Sequence, residues 1–275
     1  MVSFKIRCIT LRRKGLTINQ IAKKTGRPKT SIYFHIRQIS LNKRRCKEIR
    51  LARIRRFSNY SRSIRGKSRL NRHPIPFSHW NERLISLIGH FIFDGDISRR
   101  GCVYTNRSVS LHNHVCACMK EIYLFPPKRY ESLPGIYKSS FYNVELAEYV
   151  EGKVRDLLKK ISRMQFPLQR SFLRAFFDDE GSVYFIGNRR AVRGYQHNAK
   201  ILRLIQRLLK NFGIESRVDI KYNEITITRR ENLDLFAQEI NFSKGLRVNG
   251  SRSNSIWKES LEKHELLHRA LASYE

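Results

Sequence analysis

The sequence predicts an α+β protein in which one series of elements, αββαββα, occurs twice after a small all-helical segment. Its 275 residues are 41% apolar, enough for one large core and a small appendage. Residues 5–39 show short helical apolar patterns separated by glycines. After Pro76, helical and alternating patterns follow one another in the same order twice, and the opening helix of each series ends in a carboxylate followed by glycine. We therefore expect two pseudo-symmetric repeats.

The first segment, residues 1–40, predicts three short helices. Ile6 to Leu11 gives an apolar-periodic helix that Gly15 ends, and Thr17 caps a second helix. Pro28 stands where a third helix begins. Its apolar face is formed by Ile32, Ile36 and Ile39.

Residues 41–76 predict a basic linker. Leu41 to Arg72 contains thirteen Lys or Arg and one acid, Glu48, which cannot build a core by itself. Lys47 to Phe57 fits a helix, and the segment as a whole is suited to following phosphates. The two repeats are then expected at residues 77–165 and 166–275.

Each repeat predicts helix, two strands, helix, two strands, helix. In repeat one these are Trp80 to Phe93, Asp96 to Tyr104, Arg107 to Leu111, Val115 to Leu124, Lys128 to Ser132, Gly135 to Asn143 and Val144 to Ile161. In repeat two they are Pro167 to Asp179, Ser182 to Ile186, Ala191 to Gln196, Lys200 to Phe212, Ser216 to Tyr222, Glu224 to Arg229, and helices after Glu231 and Asn254.

The two acids, Asp94 and Glu180, lie where a helix end disfavours them. A carboxylate at a helix C-terminus meets the negative end of the macrodipole, at a cost of about 0.3 to 1 kcal/mol. A chain with 55 basic and 23 acidic residues does this twice, which indicates that the acids serve a divalent cation. Gly89 and Ala175, five residues earlier, would let the two helices pack closely, so that the acids converge.

The formal charge of +32 predicts a polyanionic partner, and nucleic acid is favoured because the basic residues run the whole length. A membrane-surface protein would concentrate them on one amphipathic helix.

The chain lacks a run of about 18 apolar residues and a secretory signal, so we expect a soluble intracellular protein, in cytoplasm, nucleoid or an organelle matrix. Five cysteines predict reduced thiols.

One short segment has the residue types of a zinc site, His112, His114, Cys116 and Cys118. Their every-second-residue spacing aligns them only in a strand, whereas Val115 to Leu124 predicts a helix that scatters them. We expect ordinary packing there.

The run GLTINQIAKKTGRPKTSIYFHIR resembles the helix-turn-helix of resolvases and many regulators, with Ala22 and Gly26 at the close helix crossing. The resemblance implies that the second helix of the pair enters the major groove. The residues it would place near DNA are Lys29, Thr30, Ser31, Tyr33, His35 and Arg37. A small helical bundle with basic solvent faces is the alternative.

LIGHFIFDG and LRAFFDDEG resemble the two motifs of a single-chain LAGLIDADG homing endonuclease, with Asp94 and Glu180 86 positions apart. The resemblance extends from about Trp80 to Trp257. It implies that the motif helices form the central interface and that each half contributes four strands to a saddle on double-stranded DNA. It further implies a monomeric, site-specific enzyme of intron homing that cleaves across the minor groove and leaves short 3′ overhangs.

In that family the last acid of each motif binds Mg²⁺, with Mn²⁺ as a substitute, which implies metal ligation at Asp94-Gly95 and Glu180-Gly181 and metal-assisted phosphodiester hydrolysis. Asp96, Asp178 and Asp179 are less favoured. Family members also carry a glutamine near an early strand end and a lysine before the last helix of a half. Gln196 with His112, and Lys244 with Lys159, fit these roles, although phosphate contact fits them equally. The sequence departs from the family at Phe93 and Asp179, where a small residue is usual.

Sequence readout is expected from outward strand residues that contact base edges and phosphates. These are Arg99, Tyr104, Arg107, Lys138, Arg189, Arg193, Arg217, Lys221 and Arg229. Two other functions stay open: a non-cleaving DNA-binding regulator and an RNA-splicing maturase. A splicing intein is not expected, because the chain begins Met-Val and ends Ser-Tyr-Glu instead of carrying a nucleophile and a terminal His-Asn.

Overall fold

A computed structural model describes residues 3–64, 77, 79–123, 127–248 and 261–274. The chain divides into two compact units, Met1–Asn71 and Arg72–Glu275. Among the described residues, no helix is long and apolar enough to cross a membrane. All five cysteines are free thiols.

The first unit contains the three predicted helices, α1 (Phe4–Arg13), α2 (Ile18–Thr25) and α3 (Lys29–Ile36). Thr17 caps α2 in a capping box with Gln20, and Gly26 ends it at a φ of 66° that glycine adopts without strain. The core is small and apolar. It consists of Cys8, Ile21, Ile32 and Ile36.

Much of the predicted basic linker is helical, because α4 spans Lys43–Ile64. Asn42 accepts a hydrogen bond from the Arg45 backbone N–H at its start. Arg45 also donates to the Gly15 carbonyl, and Arg12 donates to that of Ile39. These bonds hold the region after α3 to the three-helix core, which composition alone did not indicate. Residues 65–76 lie outside the described part.

The second unit has two halves of the same plan. Half one contains α5 (Glu82–Phe93), β1 (Gly95–Ser98), β2 (Gly101–Asn106), α6 (Val109–Tyr123), β3 (Lys128–Leu133), β4 (Ile136–Phe141) and α7 (Val144–Lys160), with a 3-10 turn at Ile161–Arg163. Half two contains α8 (Phe166–Glu180), β5 (Gly181–Ile186), β6 (Arg189–Tyr195), α9 (Ala199–Asn211), β7 (Arg217–Asp219), β8 (Glu224–Ile227), α10 (Arg230–Glu239) and α11 (Lys263–Ala272). The predicted helix after Asn254 begins outside the described residues.

Each half carries an antiparallel four-stranded sheet, ordered β1-β2-β4-β3 and β5-β6-β8-β7. The predicted α+β class and the αββαββα series are confirmed. Two predicted strands are wrong: Asp96 to Tyr104 is two strands joined by a turn at Arg99 and Arg100, and Arg107 to Leu111 is a loop and the start of α6. Alternation stops at Ser98-Arg99-Arg100-Gly101, and this polar run with its glycine was a turn signal that the prediction did not use.

The two opening helices, α5 and α8, pack against each other at the centre of the core. A Cβ added to Gly89 would lie 2.8 Å from the Ala175 Cβ, closer than carbon atoms can approach. The predicted contact between small residues is therefore confirmed. It brings the C-terminal ends of both helices, and their acids, to the same region.

Candidate active site

Each predicted acid stands where a helix passes directly into a strand. Asp94 follows α5 and Gly95 begins β1, while Glu180 ends α8 and Gly181 begins β5. A Cβ on Gly95 would lie 2.4 Å from the Phe91 carbonyl oxygen, and one on Gly181 would lie 2.3 Å from that of Phe177. Only glycine fits at these two positions, because the chain turns so sharply from helix to strand that any Cβ would overlap the helix backbone. The same geometry holds both acids at the helix ends.

Asp94 and Glu180 are half-buried, and the charge of Asp94 acts on Glu180. Burial, followed by the charge of Asp179, raises the pKa of Asp94 to about 6, although Asn106 and His90 act in the opposite direction. Burial, followed by the charges of Asp94 and Asp179, raises the pKa of Glu180 to about 8. Two carboxylates held together in this way are poorly compensated when both are ionised.

Of the three neighbouring acids, Asp178 and Asp179 are held within the protein and Asp96 is not. The Ser243 backbone N–H and hydroxyl donate to Asp178, at 2.9 and 2.6 Å, and tie the segment after α10 to α8. Asp179 is fully buried. Asp96 is exposed on β1 and faces away from the core.

Asp179 lies at the centre of a polar cluster that crosses the α5–α8 interface. Its Oδ2 is 2.8 Å from Nδ1 of His90, and Tyr104 donates its hydroxyl to Oδ1 at 2.7 Å. Burial opposes protonation of His90, but the adjacent Asp179 outweighs it and raises the pKa of His90. The same cluster reaches Asp94 through Asn106, whose amide donates to Asp94 at 2.5 Å and to Asp179 at 3.4 Å.

Asn106 is the counterpart of Gln196, and it was missed by the sequence analysis. Gly95 pairs with Tyr104 and Gly181 pairs with Gly194, so Asn106 and Gln196 stand at the same point, two residues further on. Each accepts a hydrogen bond from the backbone N–H two residues later, on Ser108 and on Asn198. The shared pattern of an amide two residues before a helix-capping residue could have identified it.

The predicted correspondence of His112 with Gln196 is wrong. His112 lies in α6, fully buried, 2.7 Å from the Ser139 hydroxyl and 3.2 Å from the Asn106 carbonyl oxygen. It therefore supports the backbone of Asn106 and does not face the acids. His114, Cys116 and Cys118 also lie in α6, where helical geometry spreads their side chains.

A half-buried lysine at the start of α11, Lys263, reaches the acid cluster. Its Nζ donates to the carbonyls of Asp178 and Phe177, at 2.7 and 3.4 Å, at the C-terminus of α8. Burial lowers the pKa of Lys263, against the charges of Asp178, Asp179, Asp94 and Glu180. The helix end therefore receives its favourable cation from a distant part of the chain. Nothing in the sequence distinguishes Lys263 among 55 basic residues.

The two lysines predicted as auxiliaries lie elsewhere. Lys244 is exposed and lines a cavity beside α5, next to Ser243. Lys159 is exposed in the last turn of α7. Neither is among the charges that act on Asp94 or Glu180, whereas Lys263 acts on both.

The donor set around Asp94 and Glu180 fits a divalent cation that substrate oxygens complete. Mg²⁺ binds through one or two protein carboxylates together with waters and phosphate oxygens. The two carboxylates repel each other, and no cluster of three or more His, Cys, Asp or Glu suited to a metal occurs in the described residues. The residues therefore offer a partial coordination shell, to which the carbonyls of Gly95 and Gly181 are adjacent.

Four of the nine residues predicted to read DNA lie on strands and face away from the core. They are Lys138, Arg189, Arg193 and Arg217. Arg193 lies 3.1 Å from Glu224 and 4.0 Å above the Tyr184 ring, which fixes its direction. Arg99 and Lys221 are exposed in turns, and Arg107 is exposed in the loop after β2.

Two members of that set were misplaced. Tyr104 is fully buried and points toward Asp179, because β2 alternates with Cys102 and Tyr104 inward. Arg229 precedes α10, after β8 has ended, and pairs with Glu215 at 3.4 Å. In the first unit, the predicted α3 residues Lys29, Thr30, Ser31, Tyr33 and Arg37 are exposed, whereas His35 is half-buried against Phe4.

Comparison with known families identifies residues 167–241 as a LAGLIDADG-like domain. The resemblance found in the sequence is thus confirmed over α8 to α10. Comparison with curated protein sequences finds no match.

Three solved structures illustrate what the chain is similar to. Mesophilic variants of the homing endonuclease I-DmoI match at 18% identity and a TM-score of 0.47, over 58% of this chain and 92% of theirs. I-DmoI in complex with DNA and Mn matches at 19% identity and a TM-score of 0.46, over 58% of this chain and 97% of that chain. Full-length DUF199/WhiA from Thermatoga maritima matches at 17% identity and a TM-score of 0.45, over 73% of this chain and 63% of that chain. At these TM-scores the likenesses by themselves establish neither fold nor activity.

Proposed function

We propose that this chain, which carries a LAGLIDADG-like domain, is a site-specific endonuclease that hydrolyses both strands of duplex DNA with a divalent cation. The observation that supports it most is the pair Asp94 and Glu180 at the converging ends of α5 and α8. Burial raises the pKa of both, helped by the charge of Asp179 on Asp94 and by the charges of Asp94 and Asp179 on Glu180. Asn106 and Lys263 offset this rise only in part, which a purely structural role would not need. The adjacent Asp178 and Asp179 are satisfied by hydrogen bonds.

In this proposal Asp94 and Glu180, with the Gly95 and Gly181 carbonyls, hold Mg²⁺ or Mn²⁺ against the scissile phosphates. The bound cation would supply an activated water and neutralise charge on the pentacoordinate phosphorus. Asn106 orients the Asp94 carboxylate through its 2.5 Å hydrogen bond, and Gln196 stands at the equivalent point of half two. Lys263 keeps the acid cluster close together by its charge and its bonds to the end of α8.

The outward faces of the two sheets form the proposed DNA saddle. Lys138, Arg189, Arg193 and Arg217 face outward on strands, so their cationic groups are available to phosphates and base edges. The exposed face of α3 in the first unit would contact a further stretch of duplex. Because each half supplies one acid, one chain would cleave both strands, and the resemblance to the family implies that the cuts leave short 3′ overhangs.

The test is incubation of the full chain with a library of long duplexes and Mg²⁺, followed by sequencing of the ends produced. Asp94→Asn and Glu180→Gln should abolish cleavage while leaving DNA affinity intact. Asp156→Asn, a change of the same kind on the surface of α7, serves as the control and should cleave normally. Specific binding by the unmutated chain without cleavage would overturn the proposal and favour a regulator, and preferential binding of structured RNA would favour a maturase.

A further inference from the structure

Half one has a polar groove beside its opening helix where half two has an apolar one. By the common register of the halves, Ser86 of α5 corresponds to Phe172 of α8, and His114 of α6 corresponds to Leu204 of α9. Phe172 and Leu204 are buried in the core. Ser86 and His114 instead bond to each other, with 2.9 Å between Oγ and Nε2.

These polar residues border a cavity of 430 Å³ between α5, α6, α8 and the segment after α10. Ser86 is half-buried and His114 is exposed, so this groove is open to solvent, whereas its counterpart in half two is closed by apolar packing. Half two shows that the same backbone plan can fill this groove with apolar side chains. The fold therefore does not require an open polar groove at this place, and the space is accessible to a ligand.

The charge of the cavity wall identifies the kind of ligand. Three cations, Arg83, Arg174 and Lys244, line it together with one carboxylate, Glu82. The Arg174 Nε donates to the Ile240 carbonyl at 2.8 Å, which fixes its guanidinium at the wall. The Ser110 hydroxyl adds a further donor to the same space, whereas the hydroxyls of Ser171 and Ser243 donate to Glu82 and Asp178.

We propose that this cavity binds a phosphate group. Arginine, lysine and hydroxyl donors are the groups that recognise phosphate oxygens, and the volume lies within the range of about 300 to 1,000 Å³ typical of small-molecule sites. Asp94 and Glu180 do not line the cavity, so the site is separate from the proposed catalytic pair. His90 lies in its wall and contacts Asp179, which joins the two sites through side chains.

The test compares thermal unfolding of the full chain in inorganic phosphate and in chloride at equal ionic strength. A ligand that binds only the folded state raises the melting temperature. Because a chain of charge +32 also binds phosphate loosely elsewhere, the informative quantity is the difference between variants. Ser86→Phe, which fills the groove as in half two, and Lys244→Gln should each lose most of the phosphate-induced rise. Lys210→Gln, an exposed lysine of α9, should retain it.

An equal rise in Lys244→Gln and Lys210→Gln would overturn the proposal, whether or not Ser86→Phe folds. The measurement is then repeated with saturating duplex DNA to identify the source of the phosphate. A rise that persists on the DNA complex supports a free phosphate or a small phosphorylated molecule. A backbone phosphate in the cavity is supported by two results together. Phosphate no longer raises the melting temperature of the unmutated chain once DNA is bound, and DNA raises that temperature more for the unmutated chain than for Lys244→Gln.

Discussion

In half one, the Tyr104 ring fills the space beside α5 and its hydroxyl bonds Asp179, whereas the equivalent position in half two is Gly194. There the Phe176 ring takes the space, 2.5 Å from where a Cβ of Gly194 would stand. The residue that each opening helix contributes to the other half differs in the same way, polar in half one and apolar in half two. Asp179 reaches His90, and Phe93 packs at 5.1 Å from the ring of Phe176.

The comparison shows how one backbone plan accommodates an exchange of chemistry across a pseudo-symmetry axis. Phe93 and Asp179 are the two departures from the small residue expected before each acid. Each is accommodated by a coordinated change in the opposite half: an aromatic ring over glycine for Phe93, and a histidine, tyrosine and asparagine for Asp179. Packing at each departure therefore depends on several residues at once.

The largest expected effect is at the polar side of this comparison. Asp179→Asn removes the charge that accompanies buried His90, and breaking a buried pair costs about 3 to 5 kcal/mol. Urea unfolding monitored by circular dichroism measures the loss. Asp234→Asn, which breaks an exposed 3.8 Å pair with Arg230 on α10, should cost at most about 1 kcal/mol. Equal losses in the two variants would show that the polar cluster does not stabilise the interface.

A smaller effect is expected at the apolar side. Gly194→Ala places a Cβ 2.5 and 2.7 Å from two atoms of the Phe176 ring, and overpacking of this kind costs about 1 to 3 kcal/mol. Gly152→Ala in α7 is the control, since a Cβ there meets nothing within 4 Å. It should stabilise the helix by about 0.5 to 1 kcal/mol. The same unfolding assay should give opposite signs, and a stable Gly194→Ala would show that the Phe176 ring moves freely.

The most gradual effect is the pH dependence of the acid pair that both halves share. Because the folded state raises the pKa of Glu180 to about 8 from an ordinary value of 4.5, the folded chain holds that proton to higher pH than the unfolded chain. The free energy of unfolding without divalent cations should therefore fall as pH rises from about 4.5 to 8. Asp94 acts in the same direction, up to about pH 6.

Glu180→Gln should flatten that fall above pH 6, where Asp94 has already ionised. The raised pKa of His90 also lowers stability as pH rises, and the variant keeps this contribution, so the difference between the two curves isolates Glu180. Adding Mg²⁺ should stabilise the unmutated chain increasingly with pH, because the cation binds the ionised carboxylates. Parallel curves for the two proteins would contradict the burial and repulsion assigned to Glu180.

Sequence patterns predicted the fold well because the determining properties are local. Hydrophobic period located most elements to within a few residues, and Asp94-Gly95 and Glu180-Gly181 identified both helix ends. The prediction failed at the turn of Arg99 and Arg100, although the polar run that ends in Gly101 interrupts the alternation there. It placed a helix at Lys47 to Phe57 but missed the full extent of α4, Lys43–Ile64, since basic residues extend the helix without an extensive apolar face.

By itself, the sequence determined the duplicated αββαββα plan, the small residues at the central crossing and the two acids beside their glycines. Only the tertiary structure decided which polar groups meet those acids. Asn106, Lys263 and the His90–Asp179 pair join residues between 12 and 169 positions apart in the chain. Such contacts depend on how strands are registered and how helices pack, and no local pattern of residues carries that information. The acids of Asp94-Gly95 and Glu180-Gly181 were therefore visible in the sequence, while the environment that raises their pKa values was not.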